Sequence, residues 1–198
     1  MGKSLAASFL AEEGLPVVDT DEIAREVVAP NAPVLREIAR EFGAEVIGDD
    51  GALRRDVLAG IVFAKASART VLERILHPLI RQKWLARAAE WRENGVEAGV
   101  VVIPLLFETG TEQEFERVIC IACSSTLQSA RLQERGWNAE QVSGRLAAQW
   151  PIEKKMDRSQ YVIWNDSSVP VLREQLRRIP PLKGRPMKPA VQNQTRID

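Results

Sequence analysis

The sequence is poor in the residues that characterise disulfide-bonded, metal-binding and strongly basic proteins. Its 198 residues include only two cysteines and one histidine, and its 27 basic side chains balance 27 acidic ones. A net charge of zero gives no electrostatic reason to expect nucleic acid or an anionic membrane as a partner. No apolar run approaches the roughly 20 residues that span a bilayer, and we expect no secretory signal. We therefore expect a cytoplasmic protein. The sequence does not reveal the oligomeric state, which is left open between a monomer and a small homo-oligomer.

The two cysteines, Cys120 and Cys123, are spaced as C-x-x-C, a pattern also found in redox and metal sites. They lie in and just after the apolar run 118–122, which is typical of a buried strand. The sequence offers no second cysteine pair, and its only histidine is His77. We therefore interpret both cysteines as structural residues of a protein from a reducing compartment.

Short apolar runs alternate with longer helical patterns along the chain. The β-branched character of these runs predicts strands buried on both faces of a parallel sheet, with helices as right-handed crossovers. Polar residues follow at or near the carboxyl end of each run, where open α/β sheets bind ligands. The predicted strands are residues 16–18, 99–103, 118–122 and 161–164.

Residues 21–94 contain no convincing strand and predict a helical insertion. Helical patterns cover residues 21–28 and 34–42, and two further helices are expected on either side of His77-Pro78, the second over residues 79–91. A smaller helical and basic stretch follows the third predicted strand. The tail, residues 180–198, contains four prolines and little apolar sequence, so we expect it to be disordered.

The chain opens with Met1-Gly2-Lys3-Ser4, and a helical run follows it. G-K-[ST] ends the phosphate-binding pattern G-x-x-x-x-G-K-[ST], which follows a buried strand and starts a helix. A three-residue match to this pattern often arises by chance. The alternative to a phosphate-binding loop is that these residues form an ordinary helix start. Other segments of the chain must therefore decide between the two interpretations.

Those segments occur downstream in a fixed order. They are V-D-T-D-E-I-A-R at residues 18–25, L-H-P at 76–78, P-L-L-F-E at 104–108, A-Q-W-P at 148–151 and V-I-W-N at 162–165. Over roughly residues 1–179 this order resembles dephospho-CoA kinase. The resemblance implies an α/β fold of the P-loop kinase type, with a parallel sheet flanked by helices. It also implies that ATP phosphorylates the ribose 3′-hydroxyl of dephospho-CoA, the last step of coenzyme A synthesis.

The resemblance also implies a division of the chain. A helical insertion would bind the acceptor, and a helical lid would close over phosphates. The expected boundaries are a nucleotide-binding core of residues 1–20, 95–125 and 159–179, a CoA-binding insertion of 21–94 and a lid of 126–158.

The resemblance assigns the ATP phosphates to the first residues of the chain. Gly2 would let the backbone approach them, Lys3 would reach the β- and γ-phosphates as a catalytic residue, and the Ser4 hydroxyl would bind Mg²⁺. The printed chain lacks the first half of this loop and the strand before it. We therefore expect the full gene product to begin upstream, with Met1 as an internal loop residue.

Three further residues are assigned to ATP by position. Arg131 and Arg145 match the lid region, and Asn165 stands where these kinases contact adenine. The alternative for the arginines is a solvated helix face, which arginines at helical spacing usually form.

On the acceptor side, Asp21 matches the acid that would take the proton of the attacking hydroxyl. Its alternative role is to cap the amino terminus of a helix. Arg25 would bind a substrate phosphate or remain a surface cation, and His77 would line the acceptor pocket or only contribute to helix packing. An apolar wall for the acceptor, or simply part of the core, would come from Leu105, Leu106 and Phe107.

Two other functions remain open. The chain could be a non-catalytic or truncated protein that binds CoA or a nucleotide without turnover. It could also be a P-loop kinase for another small acceptor, such as a nucleoside monophosphate.

Overall fold

The computed structural model of the chain describes residues 1–134, 136, 142–144 and 149–180. These residues form two compact units. One contains Met1–Val17 and the described residues from Pro104 onward, and the other contains Val18–Ile103. Of the tail predicted to be disordered, only Pro180 lies within the described residues.

The predicted α/β class is confirmed. The strands are β1 Val17–Asp19, β2 Val100–Val102, β3 Ile119–Ala122 and β4 Tyr161–Trp164. Short 3-10 turns cover Ala44–Val46 and Thr111–Glu114. The helices are α1 Lys3–Glu12, α2 Thr20–Val27, α3 Val34–Phe42, α4 Arg55–Ala64, α5 Ala66–Glu93, α6 Ser125–Gln133, α7 Ile152–Asp157 and α8 Val169–Arg177.

β3 and β4 run parallel, with Ile119 opposite Tyr161 and Ala122 opposite Trp164. The predicted burial on both faces is wrong for β4. Ile163 is buried, whereas Val162 and Trp164 are 43% and 45% exposed. Since successive side chains of a strand point to opposite faces, only one face of β4 is covered. α8 packs against this strand, and its Leu172 is almost fully buried.

α1, which begins directly after Gly2, is held against α8. Its apolar residues Ala6, Ala7, Phe9 and Leu10 are buried. The Arg177 guanidinium donates to Glu13 Oε1 through Nε and Nη2, at 3.1 and 3.0 Å. A second arginine of α8, Arg173, lies over the Phe9 ring, 4.2 Å from its centroid. The carboxyl-terminal half of α1 is therefore held against α8 by both apolar and ionic contacts.

In the other unit, α2, α3 and α4 pack against α5. β1 lies beside β2, and the Thr20 hydroxyl donates to the Val102 carbonyl at 3.0 Å. Ile38 and Val46 have no exposed surface and lie in the core of this unit. Among the described residues, no helix combines the length and the apolar composition that a membrane span needs.

α5 corrects one sequence prediction. Instead of two helices flanking His77-Pro78, a single helix of 28 residues runs through Pro78. Proline lacks the amide that would donate to the preceding turn, which normally ends or kinks a helix. Here Ile75 and Trp84 are buried on either side of it. Tertiary contacts therefore keep the helix continuous across a residue that disfavours it.

We expect Pro78→Ala to raise the thermal unfolding midpoint. A proline inside a helix costs about 3 kcal/mol relative to alanine, which sets the upper limit of the gain. Differential scanning calorimetry measures the change, with Ala86→Ser on the same helix as a control for an ordinary substitution. A lower midpoint for Pro78→Ala would show that the proline shape is needed to seat α5 on its neighbours.

Candidate active site

The amino terminus of α1 has the geometry of an anion site. Gly2 precedes the helix with φ at 95°, in the left-handed region that glycine adopts without strain. Its carbonyl accepts from the Ala6 amide at 3.0 Å, so the helical pattern of hydrogen bonds begins there. The first turn of α1 carries no acidic residue. Helix amino termini attract anions, so Lys3 and Ser4 lie where a phosphate is favoured.

Asn165 joins this turn to the end of the sheet. Its side chain is buried, and its Nδ2 donates to the Met1 carbonyl at 3.0 Å. Its backbone amide donates to the Ala122 carbonyl at 2.8 Å, and its own carbonyl accepts from Arg131 Nη1 at 3.2 Å. A Cβ atom on Gly2 would overlap the Asn165 amide group. The structure therefore brings together Gly2, Arg131 and Asn165.

The loops after β3 and β4 are tied to each other as well. The Ser124 amide donates to Asp166 Oδ1 at 2.8 Å. This hydrogen bond, supported by the charge of Arg131, lowers the pKa of Asp166. Ser124 also caps α6 by accepting from the Leu127 amide. The start of α6, the helix that carries Arg131, is therefore tied to the loop after β4.

The predicted apolar wall falls in a loop after β2. Leu105 and Leu106 are half-buried, and Phe107 is buried. The Phe107 ring stacks on Trp150 with centroids 6.1 Å apart and planes within 9°. The Arg158 guanidinium lies over both rings, at 5.9 and 5.6 Å. Phe107 therefore has a partner within its own unit, whatever it does toward an acceptor.

Next to this stack lies an ion pair that the sequence did not reveal. Lys155 Nζ lies 2.7 Å from Glu108 Oε1, and their side chains are only 8% and 14% exposed. The Trp150 amide donates to the same oxygen at 2.7 Å. Burial acts to raise the pKa of Glu108, but the hydrogen bonds from Lys155 and Trp150 outweigh it and the pKa is lowered. Glu108 is therefore a charged anchor between two segments of the chain.

Lys155 lies within residues 126–158, the segment expected to form the lid, where a solvated lysine side chain is the ordinary outcome. The signal that could have located it is Glu108, an acid directly after the apolar P-L-L-F run. An acid in such surroundings requires a cation, because a buried charge is rarely left unpaired.

In the unit formed by Val18–Ile103, Asp21 and Arg25 are exposed on α2, and His77 is half-buried on α5. The alternative that Asp21 caps α2 is wrong. Asp19 is the cap, since its Oδ1 accepts from the Asp21 amide at 2.8 Å. α2 packs against α5, and Lys83 Nζ lies 3.2 Å from Glu26 Oε2 across these helices. The Asp21 carboxylate is therefore not needed to start α2.

One predicted site residue, Arg145, lies outside the described residues. The remaining predicted site residues are divided between the two units, and the apolar residues expected to contact the acceptor lie in the same unit as those expected to bind ATP. Gly2, Lys3, Ser4, Arg131 and Asn165 belong to one unit with the apolar loop, and Asp21, Arg25 and His77 belong to the other.

Comparisons with known proteins give one family. A family model described as dephospho-CoA kinase matches residues 1–170. The dephospho-CoA kinase of Bdellovibrio bacteriovorus is 38% identical over 165 residues, covering 83% of this chain and 82% of the relative. That of Geobacillus kaustophilus is 38% identical over 176 residues, covering 88% of each.

Two solved structures resemble the chain in fold. The crystal structure of TT1252 from Thermus thermophilus superposes with a TM-score of 0.73 at 32% identity, covering 89% of this chain and 88% of that one. The dephospho-CoA kinase from Campylobacter jejuni superposes with a TM-score of 0.66 at 29% identity, covering 88% of each.

Proposed function

Because the chain belongs to the dephospho-CoA kinase family, we propose that it transfers the γ-phosphate of ATP to the ribose 3′-hydroxyl of dephospho-CoA. The observation that supports this most is the start of α1. There Gly2 adopts a left-handed conformation, with Lys3 and Ser4 in the first helical turn behind it. This arrangement allows the phosphates of a nucleoside triphosphate to bind at a helix amino terminus.

On the donor side, the Lys3 ammonium neutralises charge that moves onto the β- and γ-phosphates as the bond between them breaks. The backbone at Gly2 approaches the phosphates because no Cβ intervenes. Arg131, at the last turn of α6, is half-buried and joined to Asn165. We assign to it a contact with the nucleotide, and the same role to Arg145.

A divalent cation fits the residues at the start of α1. Ser4 offers a hydroxyl oxygen there and is exposed, and Mg²⁺ prefers oxygen ligands. Among the described residues, no cluster of three or more histidine, cysteine or acidic side chains could hold a metal. Mg²⁺ is usually held by few protein ligands together with substrate phosphates. When bound, the ion would offset phosphate charge, and Ser4 would be its ligand.

On the acceptor side, Asp21 accepts the proton of the attacking 3′-hydroxyl. Arg25, one helical turn further along α2, pairs with a phosphate of the acceptor. His77 and the side chains of Leu105 and Leu106 contact its less polar parts. The exposure of Asp21 and Arg25 supports these roles, since neither side chain is enclosed in its own unit. We place the reaction in the cytoplasm.

The test is a coupled assay of ADP release with ATP, Mg²⁺ and dephospho-CoA. Lys3→Met is expected to lower turnover by at least about 10²-fold, the usual cost of losing one group that stabilises transition-state charge. Lys65→Met is the matched control, because Lys65 is an exposed lysine before α5. Its turnover should equal that of the unchanged chain.

Two outcomes would contradict the proposal. Faster turnover with a nucleoside monophosphate than with dephospho-CoA would assign the chain to another acceptor. Binding of dephospho-CoA without ADP release or CoA formation would identify a non-catalytic binding protein.

A further inference from the structure

We propose that Asn165 is a positioning residue and not a residue that contacts adenine. It orients the backbone of the phosphate-binding turn, residues 1–4 at the start of α1, and links this turn to Arg131. The inference rests on the proposed function, because it concerns how the same donor site is held. It departs from the expectation that this position contacts the base. The contacts of Asn165, its burial and its fit against Gly2 all support it.

The first step is the Asn165 side chain. It is 5% exposed, and its Nδ2 donates to the Met1 carbonyl at 3.0 Å. Only the nitrogen of an asparagine amide can donate to a carbonyl, so the orientation of this amide is fixed by its partner. One N–H of the amide is bound to the backbone, and burial leaves the rest of the side chain little access to a base.

The second step concerns the peptide group that Asn165 holds. The Met1 carbonyl and the Gly2 N–H belong to one planar peptide unit, and in the trans form they point in opposite directions. A hydrogen bond that fixes the carbonyl therefore also fixes the direction of the Gly2 amide. That amide is one of the donors available to a phosphate at the start of α1.

The third step is the fit between Asn165 and Gly2. A side chain at position 2 would overlap the Asn165 amide group, and Gly2 also has a left-handed φ of 95°. Asn165 therefore occupies the space that any other residue at position 2 would fill. The two residues are matched to each other, as expected if the asparagine shapes the turn.

The fourth step extends the contact to α6. The backbone of Asn165 is anchored on β3 through Ala122, and its carbonyl accepts from Arg131 Nη1 at 3.2 Å. One residue at the end of β4 thus orients both the phosphate turn and an arginine assigned to the nucleotide. Loss of its side chain leaves the Arg131 contact in place and releases only the turn.

The experiment compares probes with and without a base. Titration calorimetry measures the binding of Mg²⁺ complexes of ATP, GTP and inorganic tripolyphosphate to the full chain. Asn165→Ala is expected to weaken all three by the same factor, about tenfold, as for one lost hydrogen bond. Asn165→Asp keeps the shape but removes the donor, so it should weaken all three at least as much. Asn94→Ala and Asn94→Asp, at an exposed position after α5, are the matched controls.

Two results of this titration would overturn the inference. One is a loss of ATP affinity in the Asn165 variants with tripolyphosphate unchanged, which would show a base contact. The other is no change for any probe. In turnover, Asn165→Ala should raise the KM for ATP and leave the KM for dephospho-CoA unaltered. A rise in both would indicate general damage to the fold instead of a positioning role.

A second measurement separates this inference from the proposed function. Hydrogen exchange of the peptide covering residues 1–10 should become faster in Asn165→Ala and Asn165→Asp without any ligand. Equal exchange in these variants and the unchanged chain would overturn the positioning role. Failure of the unchanged chain to bind any triphosphate would count against the proposed function alone, since the exchange result would still decide on Asn165.

Discussion

Asp21→Asn is expected to lower turnover by about 10²- to 10⁴-fold, the range for losing a general base, while ATP binding survives. Asparagine has the same shape as aspartate but cannot take the proton of the attacking hydroxyl. The change should also leave α2 intact, because Asp19 rather than Asp21 caps that helix. A loss of rate can therefore be attributed to the missing carboxylate and not to an unfolded helix start.

Glu22→Gln is the matched control for this prediction. Glu22 is the next residue of the same helical turn, is exposed, and also carries negative charge near the amino terminus of α2. Both variants lose one favourable interaction with the helix dipole, so their stabilities should be similar. Turnover comes from the coupled ADP assay and ATP affinity from calorimetry. Near-normal turnover in Asp21→Asn, or an equal loss in Glu22→Gln, would rule Asp21 out as the base.

The parts of the fold that were predictable from sequence depend on local pattern. β4 was expected at residues 161–164 and occurs there, because four consecutive residues with strand propensity precede a polar stop. α3 was expected at residues 34–42 and has those ends, since Gly43 follows it with a positive φ. Strand propensity, helical periodicity and a glycine that ends a helix all act within one short segment. Such elements can therefore be predicted from a single sequence.

The parts that were missed depend on partners distant in the sequence. Pro78 predicted a break, but α5 runs through it, and its buried residues Ile75 and Trp84 lie on either side of the proline. Lys155 and Glu108 are 47 residues apart in the sequence, and only the fold brings them together. Asn165 was found by its motif, but the motif could not show that its amide holds the backbone at Met1. In each case a contact with residues distant in the sequence changes the outcome that the local sequence pattern predicts.

The Glu108–Lys155 pair carries the largest expected effect on stability. Lys155→Met is expected to destabilise the fold by about 3 to 5 kcal/mol, the usual cost of removing one partner of a buried ion pair. The variant leaves the carboxylate enclosed without its cation. Glu108 Oε2 already has no hydrogen-bond partner among the described residues, so the second oxygen cannot compensate. In a chain of this size the loss corresponds to a fall of roughly 6 to 20 °C in the unfolding midpoint.

Two further variants distinguish loss of the ion pair from other causes of destabilisation. Lys154→Met changes the neighbouring lysine, which is exposed and lies 3.6 Å from the centroid of the Trp150 ring. It should cost only about 0.5 to 1 kcal/mol, as for an exposed cation–π contact. The double variant Glu108→Gln with Lys155→Met removes both charges and should recover much of the stability lost in Lys155→Met.

The pH dependence of the free energy of unfolding is the most specific test of the Glu108–Lys155 ion pair. The pKa of Glu108 is lowered in the folded chain, so its contribution to stability is present above the unfolded pKa of a glutamate. It is lost as the pH falls through the lower, folded value, because the unfolded state then binds the proton first. In Lys155→Met the largest influence that lowers the pKa of Glu108 is gone, so that pKa moves upward and this variant should lose less stability as Glu108 becomes neutral. The free energies of unfolding of the two chains, from urea titrations, should therefore converge on acidification. A difference that stayed constant with pH would mean that Lys155 stabilises the fold through its aliphatic contacts and not through its charge.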